Sequence, residues 1–382
     1  MRTRILRAAS AVTLVTVVAM WVAVLVAQAP TGAKPDPKNP FDTDAAIKAG
    51  ADVAKREAAL RNFVPPRTAW GDPDLRGLWL TATYTPLQRP AELANKPLYT
   101  EEEAVAAFKK AVEADAEVDP RTVHYDWKEY SMDAWQGGAR PSLHTSLIVD
   151  PASGRLPGLV AEAQQRRAAA GAAAKQRDPA AGVRTFGNLY TRCVLGLGAL
   201  PLVRGGQPGA DSAAAAAGVT AEALFFQSPG FVTIVMQSNN DVRIIPVNGG
   251  AHLPDQVRTW LGDSRGHWEG NTLVVETTNF NNKAPATNFQ GSTESLKIVE
   301  RFTRAGPNTL HYAYTVSDPR TWSSPWSVEA EMPRVEPEIL YEFACHEQNY
   351  GLINVVTGTQ IREREAAARG GAAARPTDGG ER

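Results

Sequence analysis

The feature that most constrains the fold is a series of short apolar runs in the second half of the chain. From Leu224 onward, runs rich in β-branched and aromatic residues alternate with turn-forming Gly, Pro, Asn and Asp. Tight turns favour antiparallel pairing, and closure into a barrel removes exposed strand edges. The sequence therefore predicts a mainly β protein, whose antiparallel meander of about seven strands forms a lipocalin-like barrel or half-barrel. The predicted strands are residues 231–237, 242–247, 272–280, 296–304, 309–318, 326–332 and 339–347.

The regions on either side of this meander, which we assign to residues 224–357, differ from it in composition. Residues 30–66 combine a proline-rich spacer with a helix-forming segment. Residues 67–223 are predicted to form an irregular α+β region with a few helices and with Ala- and Gly-rich insertions. Residues 358–382 contain no pattern that could bury a face, which predicts a disordered tail.

The N-terminal residues indicate export from the cytoplasm. Arg2, Arg4 and Arg7 precede an apolar run over residues 8–27, and Ala27-Gln28-Ala29 is similar to a signal-peptidase site. We therefore expect residues 1–29 to be a signal peptide, or an uncleaved anchor, since the run is long enough to span a bilayer. The remaining chain is expected to be soluble, and either periplasmic or secreted.

The charge balance excludes one class of partner. The 382 residues contain 40 Lys and Arg against 41 Asp and Glu, a formal net charge of -1. Because nucleic-acid binding depends on a surplus of cations, we expect no nucleic-acid partner. The membrane is expected to matter only through the N-terminal segment, if that segment stays uncleaved. The sequence also lacks a P-loop and a strand followed by G-x-G-x-x-G, so it does not favour nucleotide binding.

The two cysteines of the chain, Cys193 and Cys345, predict a disulfide. In an exported protein, a lone pair of cysteines is usually bonded. In the chain-entropy model, closing so long a loop contributes about 4–5 kcal/mol to stability. The alternative is a reactive thiol at Cys345, which an oxidising compartment disfavours.

A G-x-S-x-G sequence at residues 262–266 is the pattern of a serine hydrolase nucleophile elbow. An elbow requires a helix after the serine, whereas here a Glu269-Gly270-Asn271 turn and a valine-rich run predict a strand. We therefore predict a tight turn over residues 262–266, with Ser264 bonded locally rather than acting as a nucleophile. The His346-Glu347 pair likewise lacks the second histidine of a zinc-binding H-E-x-x-H motif.

Two motifs carry a resemblance to known sequences. They are W-x-G-D-S-R-G-x-W-E-G-x-T-L-V-V-x-T-x-N-F at residues 260–280 and A-C-H-E-x-N-Y at residues 344–350. The chain resembles a group of exported bacterial proteins of unassigned function that share both motifs, mainly over residues 225–350. The resemblance implies a shared fold and brings no substrate with it. In addition, the Gly-x-Trp sequences at residues 77–79 and 266–268 are similar to the opening of lipocalin-type barrels.

Three functions are consistent with these features. The first is a module that binds a small, partly apolar molecule in the mouth of the barrel. The second is an extracytoplasmic enzyme, a hydrolase or lyase. The third is an envelope protein that binds a protein partner through the aromatic stretch from Trp127 to Trp135.

The first two functions assign roles to particular residues. For the binding module, we expect the ligand to contact His252, Trp268, Tyr312, Tyr314, Asn349 and Tyr350. For the enzyme, we expect His346 and Glu347 to act with Asp263, Arg265 and His252. A metal-dependent form would bind its ion through His252 and His346 with Glu347 or Asp263. The sequence indicates no particular cofactor.

Overall fold

The computed structural model describes eleven parts of the chain, at residues 43–60, 62–115, 134–135, 137–175, 192–194, 200–205, 221–281, 291–335, 339–340, 342–347 and 349–368. Residues from Asp44 to the C-terminus belong to one compact unit. The predicted signal peptide, most of the aromatic stretch and the Gly-rich insertion at residues 206–220 lie outside the described residues. Within those residues, no helix is both long and apolar enough to span a membrane.

The regular elements alternate between helices and short strands in the first half of the chain and are mainly strands in the second. The helices are α1 (Thr43–Ala58), α2 (Glu101–Asp115), α3 (Ala161–Lys175) and α4 (Tyr350–Ala368). The strands are β1 (Gly77–Leu80), β2 (Ile148–Asp150), β3 (Glu222–Ser228), β4 (Phe231–Met236), β5 (Asp241–Pro246), β6 (Asp263–Glu269), β7 (Thr272–Thr278), β8 (Lys297–Gly306), β9 (Thr309–Ser317) and β10 (Trp326–Pro333).

The strands form two antiparallel sheets that share one core. The four-stranded sheet has the order β1-β3-β4-β5, and the six-stranded sheet has the order β2-β10-β9-β8-β7-β6. Side chains alternate between the core and the outer face, since a strand has a period of two residues. Phe225 of β3 and Phe302 of β8, one from each sheet, meet edge to face with ring centroids 5.5 Å apart. The two sheets therefore pack face to face across a continuous apolar core.

The prediction of a mainly β, antiparallel protein is confirmed, whereas no closed barrel is found among the described residues. At each margin, an isolated backbone hydrogen bond connects the two sheets. Val335 N donates to Leu78 O over 2.9 Å beside β1 and β10, and Gly249 N donates to Gly266 O over 3.2 Å beside β6. These bonds do not continue as ladders, so the strands remain in two sheets.

The structure corrects two of the predicted local elements. Residues 263–266 are not a tight turn but the start of β6, which pairs with β7 from Asp263 opposite Thr278 to Glu269 opposite Thr272. The turn lies one residue earlier, at Gly262, whose φ of +71° favours glycine. The predicted seventh strand is absent, because described residues of 339–347 form no strand and residues 345–347 form a turn.

Helices α1 and α2 lie outside the sheets, where they pack against β1 of the four-stranded sheet and also line a cavity over the six-stranded sheet. Strand β1 is buried on both faces: Trp79 lies in the shared core, and Leu78 and Leu80 lie in a second cluster. Ile47 of α1 and Phe108 of α2 belong to that second cluster. The β1 strand thus positions both helices beside the sheets.

The ends of the chain's helices follow from simple capping and propensity rules. At the start of α2, Thr100 N donates to Glu103 Oε2 over 2.8 Å, and Glu103 N donates to Thr100 Oγ1 over 3.2 Å, which forms a capping box. The tail predicted from residue 358 is helical up to Ala368. Its Ala, Arg, Glu and Gln residues have high helix propensity, so a helix forms without a buried face.

The predicted disulfide is confirmed. Cys193 and Cys345 are bonded with a Cα–Cα distance of 5.7 Å, across a sequence separation of 152 residues. Two further bonds hold the segment around Cys345, because Asn240 Nδ2 donates to Phe343 O and Phe343 N donates to Asn240 Oδ1. The segment before α4 is therefore attached both to Cys193 and to the turn between β4 and β5.

Candidate functional site

Three of the predicted site residues meet on the outer face of β6 and β7, together with Glu276, which was not predicted. His252 Nδ1 lies 2.8 Å from Asp263 Oδ2, and Arg265 donates to both oxygens of Asp263 over 3.1 Å. Glu276 Oε1 lies 3.4 Å from His252 Nε2. An ionised carboxylate accepts hydrogen bonds but donates none, so Nδ1 of His252 carries the proton towards Asp263. We call His252, Asp263, Arg265 and Glu276 the His252 cluster.

The charge state of Asp263 is set by its hydrogen bonds. Partial burial acts to raise the pKa of Asp263, but donation from Leu253 N–H, Arg265 and His252 outweighs it and leaves the pKa lowered. Next to this cluster, a cleft of about 290 Å³ opens between β5 and β6, with Val242, Ile244, Thr259 and Asp263 in its lining. The Asp263 carboxylate thus favours its anionic form and holds the His252 ring, and Asp263, but not His252, lines the cleft.

His346 and Glu347 lie elsewhere. Both are exposed on the turn that follows Cys345. Within the described residues, no hydrogen bond joins them to His252 or Asp263, and no three His, Cys, Asp or Glu side chains are arranged to hold a metal ion. The histidine and carboxylate set expected for a metal-dependent enzyme is therefore not assembled.

Asn349 and Tyr350 begin the last helix. Asn349 Oδ1 accepts from Leu352 N over 3.0 Å, which caps α4, and Asn349 Nδ2 lies 3.4 Å from Cys193 Sγ. Tyr350 is 59% exposed. The environment of Asn349 is therefore that of a helix cap beside the disulfide.

The aromatic residues expected at a barrel mouth lie in or against the core instead. Tyr312 and Tyr314 are fully buried, and burial raises the pKa of each hydroxyl. Tyr312 donates to Glu300 Oε1 over 2.7 Å, and Tyr314 donates to Val203 O over 2.9 Å. Trp268 is partly buried against the same core. Of the aromatic stretch, Trp135 is buried, and Trp127 lies outside the described residues.

Tyr312 belongs to a buried polar network centred on an ion pair. Arg243 of β5 pairs with Glu300 of β8, and their side chains are 3% and 0% exposed. Arg243 also donates to Ser264 Oγ over 2.9 Å and to Thr277 Oγ1 over 2.7 Å. Ser264 is therefore held inside the sheets by its hydrogen bonds, with its hydroxyl turned away from the surface.

A cavity lies outside the sheets, where α1 and α2 pass over the six-stranded sheet. It has a volume of about 410 Å³, within the range of small-molecule pockets. We call it the α1–sheet pocket. Ala51, Ala54 and Ala58 of α1, Ala104 and Val105 of α2, Leu143, and Ala305 and Ala330 of the sheet form its apolar walls.

Acidic groups predominate among the charged side chains of the α1–sheet pocket. The acids are Asp52, Glu57, Glu101, Glu329 and Glu331, and the bases are Lys55, His144 and His311. Glu57 is neutralised by Arg140, with a Nη1–Oε2 distance of 3.1 Å in a largely buried pair. Glu329 Oε2 lies 3.8 Å from His311 Nε2. The pocket thus combines apolar walls with an excess of carboxylates.

Glu331 differs from the other acids of this pocket. It lies directly opposite His311 in the β9–β10 register. Within the described residues, no hydrogen bond or ion pair engages its carboxylate. Solvent reaches the Glu331 side chain, yet partial desolvation by the surrounding protein raises its pKa, even though Arg140 and His311 act to lower it. Glu331 is therefore a carboxylate that lines a cavity without a partner of its own.

The α1–sheet pocket was not predicted from the sequence. Its residues come from four segments, at residues 51–58, 101–105, 141–144 and 305–331, which are distant in the chain. One signal was present: His311, Glu329 and Glu331 occupy the outward positions of the alternating β9 and β10 runs. An ionisable pair at paired outward positions indicates a polar patch, but only the packing of α1 converts it into a cavity.

Comparisons with protein families, with curated proteins and with solved structures find no significant match to this chain.

Proposed function

We propose that this protein is an exported binding protein for a small, partly apolar molecule, and that the α1–sheet pocket is its binding site. The observation that carries the proposal is the pocket itself, with a volume of about 410 Å³. Binding sites for small molecules combine apolar walls with a few polar groups that fix orientation, which is the composition found here. The proposed site lies on the outer face of the six-stranded sheet, rather than in the mouth of a lipocalin-like barrel.

The pocket is supported by fixed elements. Glu57 of α1 accepts from Arg140 and, at Oε1, from Asn308 N over 3.1 Å. Arg140 Nη2 donates in turn to Asn308 O over 2.9 Å. Because these bonds join α1 to the turn between β8 and β9, one wall of the pocket is attached to the other. Such preorganisation reduces the entropy lost when a ligand binds.

A thermal-shift screen with a blocked pocket tests the proposal. Ala54→Trp would fill the pocket from α1, whereas Ala49→Trp places the same side chain on an exposed position of α1 outside the lining. We expect small, partly apolar compounds that raise the Tm of the native protein to do so equally with Ala49→Trp but not with Ala54→Trp. Equal stabilisation of Ala54→Trp would show that the ligands bind elsewhere and would overturn the proposal.

The second candidate function is an extracytoplasmic hydrolase or lyase, favoured by the His252 cluster. Asp263 is bonded to Nδ1 and orients the ring, while Nε2 faces Glu276 Oε1 across 3.4 Å, so His252 acts as a general base only in its neutral form with Nε2 unprotonated. The adjoining cleft of about 290 Å³ could admit a substrate. In this candidate His252 is the base and Asp263 orients it, while His346 and Glu347 take no part.

Hydrolysis of p-nitrophenyl acetate and p-nitrophenyl butyrate tests the second candidate. A rate above the buffer background should fall to that background in His252→Ala and Asp263→Asn. The matched control is His346→Ala, which removes an exposed histidine on a turn and should leave the rate unchanged. A rate that survives in His252→Ala would exclude the His252 cluster as the site.

A further inference from the structure

The outer faces of the two sheets differ in composition, although their inner faces share one core. On the six-stranded sheet, outward charges are paired across strands, as in Glu269 with Arg301 and Glu276 with Lys297. On the four-stranded sheet, large apolar side chains of β3, β4 and β5 point outward instead. Four of them are between 45% and 62% exposed: Phe226, Phe231, Val242 and Ile244.

These side chains belong to one continuous surface, which we call the β3–β5 face. The strand register arranges its residues in three rows across the sheet. None of them is charged, and two are polar. Glu222 has the same orientation but is buried at the start of β3, opposite Leu80. The rows are Leu224-Val235-Val242, Phe226-Thr233-Ile244 and Ser228-Phe231-Pro246.

The size of the β3–β5 face marks it as an interaction surface. Neighbouring strands lie about 4.8 Å apart and outward residues about 6.8 Å apart along a strand, so the three rows cover roughly 300 Å². The surface continues beyond β5, because Val242 and Ile244 also line the cleft with Trp260 and Leu261. Monomeric proteins rarely expose contiguous apolar patches larger than a few hundred Å².

The absence of charge on the β3–β5 face indicates what covers it. In a two-fold symmetric contact, a surface meets its own copy, so a charged face would bring like charges together. An uncharged apolar face avoids that repulsion. A lipid surface, by contrast, is recognised by apolar residues together with Lys and Arg, and the face contains neither. The composition therefore favours a second copy of this chain over a membrane.

Thr233 supports the same conclusion. It occupies the middle of the middle row, on the central strand of the face. A threonine hydroxyl both donates and accepts a hydrogen bond, so two copies of Thr233 that meet at a two-fold axis satisfy each other. The polar group at the centre of the face is thus self-complementary.

We propose that the β3–β5 face binds the same face of a second copy of this chain, which forms a symmetric dimer. With the two-fold axis along β4, Phe226 of one copy packs against Ile244 of the other. Sheets that pack face to face lie about 10 Å apart and interdigitate such side chains. Arg76, which precedes β1, is paired with Asp74 and belongs to the polar rim.

The area of the face sets the strength of the contact. Standard interfaces bury about 800 Å² on each partner, more than the three rows provide, so the dimer should be weak and concentration-dependent. None of the residues of the β3–β5 face lines the α1–sheet pocket. Dimer formation and ligand binding are therefore separate properties, and each is tested without the other.

Sedimentation equilibrium of the full chain, from about 1 to about 200 µM, tests the proposal. The apparent mass should rise with concentration from 41.1 kDa towards twice that value. Ile244→Asp should weaken association at least about a hundred-fold, because the symmetric contact would bury two unpaired carboxylates. The matched control is Ile353→Asp on α4, where the side chain is similarly exposed, and it should leave association unchanged.

A cross-link tests the position of the axis. Both native cysteines are bonded to each other, so Thr233→Cys introduces the single free thiol of the chain. Copper(II) phenanthroline, which takes up the two electrons lost by a pair of thiols, should join two copies at this position. Thr315→Cys is the control, because Thr315 is a half-buried outward residue of β9 in the other sheet. Non-reducing electrophoresis should show the double mass for Thr233→Cys alone.

Three results would overturn the proposal. The first is a native chain that keeps the mass of one copy up to about 200 µM. The second is association that survives Ile244→Asp, and the third is equal cross-linking of Thr233→Cys and Thr315→Cys. Because Ile244 is exposed, Ile244→Asp should retain the far-UV circular dichroism of the native protein. If that variant misfolded, the cross-linking of Thr233→Cys would decide the question.

Discussion

At the scale of single residues, the Arg243–Glu300 pair places two charges in the apolar interior. Both side chains are almost fully buried. Removing two ions from water is costly, and the mutual attraction offsets that cost only when further hydrogen bonds satisfy the remaining atoms. Here Ser264 and Thr277 accept from Arg243 and Tyr312 donates to Glu300, whereas the buried Nη1 of Arg243 has no hydrogen-bond partner among the described residues. The pair therefore fixes how β5 faces β8 more than it adds net stability.

The first prediction concerns this pair. Glu300→Gln leaves the Arg243 charge buried without its counter-ion, and we expect a loss of about 3–5 kcal/mol in the free energy of unfolding. Replacing both residues, as Arg243→Met with Glu300→Leu, removes the uncompensated charge and should cost clearly less than Glu300→Gln alone. Urea unfolding of the three proteins measures the difference. A double variant at least as unstable as the single one would contradict this account.

The second prediction concerns the pH dependence of stability at Glu331. Its pKa is raised in the folded protein above the ordinary value of 4.5. An acid with a raised folded-state pKa contributes stability that is fully present below its unfolded pKa and is lost as the pH rises through the folded value. Glu331→Gln cannot ionise, so we expect it to be slightly more stable than the native protein at neutral pH, because solvent at this exposed side chain screens the effect, with the difference vanishing near pH 4.

The matched variant Glu269→Gln should change the stability at neutral pH in the opposite direction. The hydrogen bond from Arg301 lowers the pKa of Glu269, so its ionised form favours folding above the unfolded pKa. Glu269→Gln should therefore be less stable than the native protein at neutral pH and should converge with it in acid. Thermal unfolding from pH 4 to pH 8 measures both differences. Parallel curves for Glu331→Gln and the native protein would show that Glu331 is hydrated as in an unfolded chain.

At the scale of elements, most of the strands follow from local pattern, and the exceptions have physical causes. The β9 run alternates between buried and partly exposed residues, as its sequence predicts. Strand β6 contains Asp, Ser and Gly, which have low strand propensity, and forms because its whole length pairs with β7. Gly266 also lets Ile245 of β5 approach closely. Tertiary pairing therefore overrides local preference there.

The candidate pocket could not be predicted in the same way. Its walls depend on where α1 and α2 pack, and Ile47 of α1 and Phe108 of α2 share a buried cluster with residues of β1. All four residues of β1 are buried, so its sequence shows no alternation of apolar and polar residues. Without that alternation, the sequence does not indicate which elements pack on each face of the strand. The His252–Asp263 contact, by contrast, joins residues eleven apart in the chain, and both were predicted site residues.

The third prediction concerns the disulfide. The described residues around Cys193 and Cys345 form turns and no strand, so few backbone hydrogen bonds hold them. Replacing both cysteines by serine should lower the free energy of unfolding by about 2–5 kcal/mol, since the unfolded chain gains entropy. Urea unfolding gives the difference, with the native protein in reductant as the control. If both thiols of the native, oxidised protein were freely alkylated, the bond would be disproved.

At the scale of the whole molecule, the sheets provide a rigid body and the outer helix layer provides the candidate site. The main core is drawn from both sheets, and the second cluster continues from β1 into α1 and α2. The net charge of the chain is -1, but the charges are unevenly distributed, because acidic groups predominate in the α1–sheet pocket. The charge balance of this pocket therefore differs from that of the whole chain.

The last prediction is that both sheets unfold together. Chains of this length often unfold in several steps, but here Phe225 and Phe302 join the two sheets, and Phe302 stacks on Tyr312 at 4.9 Å. We expect one urea transition, with coincident midpoints by far-UV circular dichroism and by tryptophan fluorescence. Trp79 of β1 and Trp326 of β10 are both fully buried, so the fluorescence reports on both sheets.

Substitutions in either sheet should move this single transition as a whole. Phe225→Ala and Phe302→Ala each remove a buried ring and should each cost about 3–5 kcal/mol. Because the two rings touch, the double variant should cost less than the sum of the single losses, since the second substitution removes a contact that is already lost. Independent sheets would behave differently: Phe225→Ala would then shift an early transition of the four-stranded sheet and leave that of the six-stranded sheet in place.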